Sequence, residues 1–432
     1  MWTDQSVFYQ IYPLGAFGAP FENDGQPDHR ILKMESWIAP LKELGIDAVL
    51  LNPVCRSMTH GYDTVDYKTI DNRLGTNEDM IRVIDSCHQN GLRILFDGVF
   101  NHVGRDFFAF RDVLKNRVNS IYKDWFYIDF NGNNGFDDHF SYQSWEGNDP
   151  LVKLNLQNEA TVSYLLEVIG FWMDTFHIDG IRFDVAYSLD LNFLRRVRSF
   201  CKTKNPDFFL LGETLHGDYN TWVNEEMLDS CTNYECYKGL YSSFNSRNFY
   251  EILHSFHRQF GQDEWCLYQG KHLFNFVDNH DVVRIATNLS NKHHLPQIYV
   301  MLMTMPGIPC LYYGSEWGLE GDKNWNDSQL RPEIDTLQTN DLTQWIRKLI
   351  RIKHEQPDFH GTDYRQIAIT NTACIYQRGN CWICFNMDEN PCTLPVNEQG
   401  SRWDLLHETR VDYQQEIYLE GYQCRILKKD VE

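Results

Sequence analysis

The sequence predicts an α/β protein. A (β/α)₈ TIM barrel carries a small excursion after its third strand and ends in an antiparallel β-sandwich. Three observations predict this. Short β-rich apolar runs alternate with amphipathic helical patterns over about 350 residues, which implies parallel strands joined by crossovers. One interval, about 55 residues rich in Asn, Asp, Gly and aromatics, breaks that rhythm and is too long for a simple loop. After residue 358 the pattern changes to strand-like pieces alone.

The strand runs are VFYQIY (7–12), IDAVLL (46–51), LRILFDGV (92–99), GIRFDV (180–185), FFLLGE (208–213), LFNFVD (273–278) and PCLYYG (309–314). A weaker one lies near LDSCTNY (228–234). Among the helices, SWIAPLKELG (36–45) stops on Gly45, and NEDMIRVIDSCHQNG (77–91) opens on a capping Asn77 and stops on Gly91. Residues 342, 345, 346, 349 and 350 are apolar at helical spacing. Eight units point to a closed barrel. The competing open, doubly wound sheet lacks its glycine-rich phosphate loop after the first strand. The expected division is a barrel from 1–102 and 151–358, an excursion at 103–150, and a β-sandwich at 359–432.

Composition narrows the function. The formal charge is −21, and an acidic surface disfavours nucleic acid and anionic membranes but accepts a neutral polymer. Aromatics make up 14% of the chain, which serves either a large core or a groove on which sugars stack. No run approaches a bilayer span, and MWTDQSVFYQIYPLG lacks the basic and apolar regions of a secretory leader. The twelve cysteines are scattered, mostly in apolar runs. Cys381 and Cys384 form a Cys-x-x-Cys without a second pair, inside a strand-like string, so neither zinc nor redox chemistry is expected. Reduced thiols in a cytoplasmic protein fit this usage.

Chemistry in a (β/α)₈ barrel sits at the carboxyl ends of the strands. Here the third strand ends on Asp97, Asn101 and His102, the fourth on Arg182 and Asp184, the fifth on Glu213, and the seventh on Asp278, His280 and Asp281. Such groups are costly after apolar strands unless they line a wet mouth. Retaining glycoside hydrolysis needs a nucleophilic carboxylate and a proton-donating carboxyl about 5–5.5 Å apart, which the fourth and fifth strand ends can supply. Arg182, two residues before Asp184, points to the same side and is expected to keep it ionised. Glu213 is expected to hold a proton, and His102 and His280 to donate to sugar hydroxyls. A metal hydrolase is disfavoured because His-x-His and His-Glu-x-x-His are absent.

DGVFNH, GIRFD, the Glu of LLGET, and FVDNHD, in this order and spacing, resemble the four conserved segments of the α-amylase family, glycoside hydrolase family 13. QIYP, HGYDTVDY, KLN, PGIPCLYYGSE and WDLL extend the resemblance over nearly the whole chain. It implies that Asp184 is the nucleophile, Glu213 the acid/base, and Asp281 the acid that clamps sugar hydroxyls in the transition state. Tyr62 resembles the ring beneath the sugar, and His102, Arg182 and His280 the polar wall around it. Asp327 and Arg331 resemble a pair on its outer hydroxyls, and Asp97 a brace.

Three departures refine the reading. DVAYS follows the nucleophile where many extracellular α-amylases have Lys-His. Thr59 stands three residues before Tyr62, where exo-acting oligo-1,6-glucosidases have Asp. KLN and RFDVA resemble the neopullulanase and cyclomaltodextrinase group, which usually has an extra N-terminal domain; here the barrel starts within the first ten residues, so the dimer made by that domain is not implied. The expectation is hydrolysis of α-1,4, and secondarily α-1,6, bonds in maltodextrins. The alternatives are a glucanotransferase sharing the covalent intermediate and a catalytically silent glucan-binding protein. No cofactor is expected to be required. Asn101 resembles a calcium ligand that the 103–150 excursion could supplement, but the Lys-His segment that supports such a site is missing. Oligomeric state is left open.

Overall fold

The computed structural model describes residues 1–323 and 327–429. Eight parallel strands form the barrel: β1 (Phe8–Ile11), β2 (Ala48–Leu51), β3 (Arg93–Gly98), β4 (Gly180–Phe183), β5 (Phe209–Gly212), β6 (Ser230–Cys231), β7 (Phe274–Phe276) and β8 (Ile308–Tyr312). The hydrogen-bonded order runs β6-β5-β4-β3-β2-β1-β8-β7. A parallel bridge between Thr232 and Phe274, with Asn233 N donating to Phe274 O at 2.9 Å, joins the two ends and closes the barrel.

The side-chain period of two divides each strand between two environments. Inward-facing Phe8, Leu50, Leu95, Phe209, Phe274 and Ile308 fill the amino-terminal end as one apolar plug. One or two pleats on, the inward positions become Gln10, Asn52, Asp97, Arg182, Asp184 and Glu213, all buried. The outward residues, such as Tyr9, Val49, Phe96 and Ile181, pack under the helices.

Those helices are α1 (Glu35–Leu44), α2 (Asn77–Gln89), α3 (Glu159–Phe171), α4 (Leu191–Lys204), α5 (Tyr234–Ser246), α6 (Phe249–Phe260), α7 (His294–Thr304) and α8 (Asp341–Glu355). Gly45 ends α1 with φ 101°, a conformation that glycine adopts without cost. The cap of α2 is Thr76 rather than Asn77: Thr76 Oγ1 accepts from Asp79 N, and Asp79 Oδ2 accepts from Thr76 N. Asn77 instead ties the helix start to Ile70 N and Lys68 O. The β/α alternation is not strict. The β5–β6 connection carries only a short 3₁₀ turn at Tyr219–Thr221, with buried Tyr219, Val223, Met227 and Leu228 covering the strands, and β6 is followed by both α5 and α6.

The excursion leaves and returns through an antiparallel pair, His102–Gly104 with Asn148–Lys153, and the latter also pairs with Ser144–Trp145. At the carboxyl end lies one six-stranded antiparallel sheet: β9 (Arg365–Ile369), β10 (Ala373–Arg378), β11 (Cys381–Asn386), β12 (Cys392–Asp404), β13 (Thr409–Leu419) and β14 (Cys424–Lys429), in the order β9-β10-β11-β14-β12-β13. It folds over its own core, Leu394, Ile417 and Leu419 packing with Ile375, Trp382 and Leu427. Residues 430–432, the end of the expected sandwich, lie outside the described residues.

Cys381 and Cys384, three apart on β11, join different cores on opposite faces and cannot share a metal. All twelve cysteines are free thiols. Among the described residues, no helix is long and apolar enough to cross a membrane.

Candidate active site

The polar strand ends converge on one cleft of about 470 Å³ at the carboxyl mouth of the barrel. Of the nine residues singled out in the sequence, Tyr62, His102, Asp184, Glu213, Asp281, Asp327 and Arg331 line it. Arg182 and His280 stand directly behind this wall, 3% and 1% exposed, and reach the cleft through the residues they hold.

Arg182 is the hub. Its Nη1 lies 2.6 and 2.5 Å from the two Asp97 oxygens and 3.5 Å from Asp184 Oδ1, and its Nη2 lies 2.8 Å from Glu213 Oε1. The side chain is fully buried among three carboxyl groups, so its charge is divided. The expectation that Arg182 keeps Asp184 ionised is corrected by this sharing. Burial and then the neighbouring Glu213 push Asp184 well above the usual carboxylate range, and Arg182 offsets them only in part. Asp184 and Glu213 thus meet as two buried carboxyls on one guanidinium, and the Glu213 charge disfavours ionisation of Asp184.

The turn after β4 places Glu213. Val185 N donates to Glu213 Oε2 at 2.9 Å, and Val185 adopts φ 41°, ψ 47° to do so. A β-branched residue in the left-handed region is strained, and here the strain coincides with a carboxyl that needs a fixed donor.

Asp281 faces the pair. Burial acts to raise its pKa, but His280, with Nε2 at 3.0 Å, and Arg331, with Nη2 at 2.9 Å, hold it well below the usual carboxylate range. Arg331 also donates to His280 O at 3.1 Å and lies over the Tyr12 ring at 4.6 Å. Asp327 is looser, 53% exposed and 3.8 Å from Arg331. Residues 324–326, the last two of which open the WNDSQLRP segment that carries the pair, lie outside the described residues.

Tyr62 stacks on His280 with centroids 5.7 Å apart, and its hydroxyl donates to Asp97 Oδ2 at 3.1 Å. His102 is pushed down to about 3 by burial and then by His60, so it is neutral at neutral pH. Its Nδ1 faces Asn101 Nδ2 at 3.1 Å, which leaves the proton on Nε2, an atom without a protein partner. Thr59 is turned away from the cleft: its hydroxyl donates to Asp63 Oδ2 at 2.7 Å.

Several cleft residues escape sequence reasoning. Trp145 and Asn148 come from the excursion and Leu151 from the strand on which it returns, and only that folding brings them over His102, whose ring lies 5.8 Å from that of Trp145. Tyr187, Leu215 and Tyr234 follow the fourth, fifth and sixth strands. Tyr187 and Leu215 follow Asp184 and Glu213 by three and two residues, a proximity that could have drawn attention to them.

Residues 35–355 match the model of the alpha-amylase catalytic domain. The chain is 32% identical over 396 residues to a maltogenic alpha-amylase of Bacillus acidopullulyticus, which covers 82% of the chain and 63% of that protein. It is 32% identical over 434 residues to a cyclomaltodextrinase of Thermoanaerobacter pseudethanolicus, covering 94% and 74%. The chain thus spans about two thirds to three quarters of the length of these relatives. The solved type III pullulan hydrolase of Thermococcus kodakarensis superposes with a TM-score of 0.84 at 26% identity, covering 99% of this chain and 82% of that one.

Proposed function

The chain belongs to the α-amylase family, and from that premise we propose that it is a retaining hydrolase of α-1,4, and secondarily α-1,6, bonds in maltodextrins and related oligosaccharides. The observation that carries this reading is the buried pair Asp184 and Glu213, bridged by Arg182 and facing Asp281 in one cleft. Glu213 gives its proton to the glycosidic oxygen as the bond to the anomeric carbon breaks. Asp184 closes on that carbon and forms a covalent ester. Glu213, now ionised, takes a proton from water, and the water oxygen displaces Asp184. Asp281, ionised by its neighbours, accepts from sugar hydroxyls. His102 Nε2–H donates to them, and Tyr62 offers a ring face. Arg331 and Asp327 take the outer hydroxyls.

Bond choice follows from two residues. Thr59 carries no charge, and its hydroxyl is committed to Asp63, which argues against strict capture of a chain end. Val185 lines the cleft, and a branched side chain there would shape the leaving-group side. We assign catalysis to the barrel, 1–102 with 151–358, closure over it to 103–150, and a supporting role to 359–432. The substrate is an α-glucan oligosaccharide rather than nucleic acid or membrane. The acidic charge and twelve free thiols favour the cytoplasm.

The test is a product profile on maltohexaose, a cyclodextrin and pullulan. Short oligosaccharides from all three are expected. Glucose as the sole early product, with pullulan untouched, would overturn the bond assignment. Products longer than maltotriose from maltotriose would favour transfer over hydrolysis.

A further inference from the structure

His280 is more tightly determined than its place behind the cleft wall requires. Its ring is sandwiched between Tyr12 and Tyr62, at 6.2 Å and 5.7 Å, with interplanar angles of 12° and 9°. Its Nε2 lies 3.0 Å from Asp281 Oδ2 and 2.5 Å from the Tyr62 hydroxyl. Its Nδ1 lies 2.9 Å from Gln10 Nε2, and that same nitrogen lies 2.9 Å from Asn52 Oδ1. Asn52 Nδ2 in turn lies 3.0 Å from Asp97 Oδ2 and 3.2 Å from the Tyr62 hydroxyl.

The orientation of every group here follows from one that can only accept. Asp97, paired with Arg182, is a carboxylate, so Asn52 must present its NH₂ to it. The Asn52 oxygen then faces Gln10, which must turn its own NH₂ towards Asn52. The second N–H of that NH₂ points at His280 Nδ1, which must be the bare nitrogen. The ring proton therefore sits on Nε2, which lies 2.5 Å from the Tyr62 hydroxyl and 3.0 Å from Asp281 Oδ2. The chain of constraint passes through β3, β2 and β1 to the end of β7 without touching the cleft.

We propose that Gln10 and Asn52 are positioning residues that lock His280 in its Nε2–H tautomer, so that the ring presents a donor to the Tyr62 hydroxyl and to Asp281 beside it. A flipped tautomer would turn a lone pair towards both groups, draw the Tyr62 hydroxyl proton away from Asp97, and leave Asp281 without that donor. The charged and titratable groups around the ring are Asp281, Arg331, Asp97, Tyr12 and Tyr62, and none of them reaches Nδ1 in place of Gln10. This role rests on the hydrolase reading for its effect on turnover, but not for the tautomer itself.

The experiment has two arms. Histidine-selective ¹⁵N NMR, with the His280 signal assigned by its loss in His280→Gln, reads the tautomer without substrate. The wild type is expected to show a bare Nδ1, and Gln10→Leu to shift protons onto it. In steady-state kinetics on maltoheptaose, Gln10→Leu is expected to lower kcat about ten-fold with KM nearly unchanged. Gln10→Glu, accepting at Nδ1 but set against Asn52 Oδ1, is expected to draw a second proton onto Nδ1, keep the donor on Nε2, and add a new alkaline limb. A protonated Nδ1 in the neutral wild-type ring, or Gln10→Leu with unchanged tautomer and kcat, would overturn the proposal. If the wild type turns over no α-glucan, the hydrolase reading fails while the NMR arm still decides the relay. If Gln10→Leu does not fold, Gln10→Glu and the wild-type spectrum decide it.

Discussion

At the scale of the residue, the site is governed by two buried carboxyls on one guanidinium. Burial and the Glu213 charge raise Asp184, so the acid limb of the pH–rate profile is expected above the ordinary Asp range of about 4. Removing the neighbouring charge should lower Asp184. Glu213→Gln, assayed on a maltosyl fluoride that needs no acid assistance, is therefore expected to shift the acid limb to lower pH. On maltoheptaose the same variant should lose about 10³-fold or more in kcat, as should Asp184→Asn. An unmoved limb would show that the Glu213 charge does not raise Asp184. Val185 gives a second prediction. In most buried sites Val→Gly costs several kcal/mol through lost packing and unfolded-chain entropy. Here glycine relieves a left-handed strain of about 1–2 kcal/mol and keeps the N–H on Glu213. Val185→Gly is expected to change stability by less than about 1 kcal/mol and kcat by only a few-fold, with a shifted ratio of pullulan to maltodextrin cleavage. A loss above about 3 kcal/mol in urea melts would mean that the backbone conformation carries no strain.

At the scale of the element, loops hold the cleft residues, and Arg73 holds the loops. Fully buried, it pairs with Asp71 at 2.8 Å and donates to Pro20 O, Phe21 O and Thr59 O at 2.9, 2.6 and 2.7 Å. It thus ties the segment after β1 to the one that carries Tyr62. Arg73→Met leaves Asp71 buried and three carbonyls unpaired, so it is expected to cost about 3–5 kcal/mol and to raise KM for maltoheptaose more than it lowers kcat. A melt within a degree of wild type would refute the clamp. These elements also show what was readable beforehand. The strands that were long and apolar stood out because their burial is local and repetitive. The sixth was faint because only Ser230–Cys231 belong to it. That Asp184, Glu213 and Asp281 gather in one cleft was legible because a charged group directly after an apolar strand has few structural explanations. Trp145 was not, because its place depends on the tertiary path of the excursion. Nor were Gln10 and Asn52, whose polarity inside apolar runs acquires meaning only when neighbouring strands bring them within 2.9 Å.

At the scale of the whole molecule, stability depends on what the barrel holds and on how the terminal sheet docks. Asn101 Oδ1 is buried without a partner, which invites a cation. Among the described residues, however, the only gathering of three or more acidic, His or Cys ligands is His257, Asp263 and Cys266 on and after α6, a set without Asn101. One amide oxygen is far from the six to eight oxygens that calcium takes. Dialysis against a chelator is therefore expected to leave both Tm and activity unchanged, and a loss restored only by calcium would reverse this. The junction with the terminal sheet carries the last expectation. Lys353 on α8 is completely buried, donates to Phe359 O at 3.1 Å, and lies in the field of Arg378, which is itself bonded across the junction to Thr304 O. Burial and then the Arg378 charge depress Lys353 to about 7. The unfolded chain keeps that proton to about 10.4. Between these values the unfolded state binds more protons than the native state, so stability from this group rises as pH rises, and the full penalty is present below about 7. Lys353→Met removes the charge and keeps most of the volume. It is expected to stabilise the protein by about 2–4 kcal/mol at pH 7, less the lost hydrogen bond to Phe359. The gap between variant and wild type should narrow as melts are repeated towards pH 10. A variant less stable than wild type at pH 7, or a gap that widens with pH, would mean that Lys353 is charged and well solvated in the folded protein.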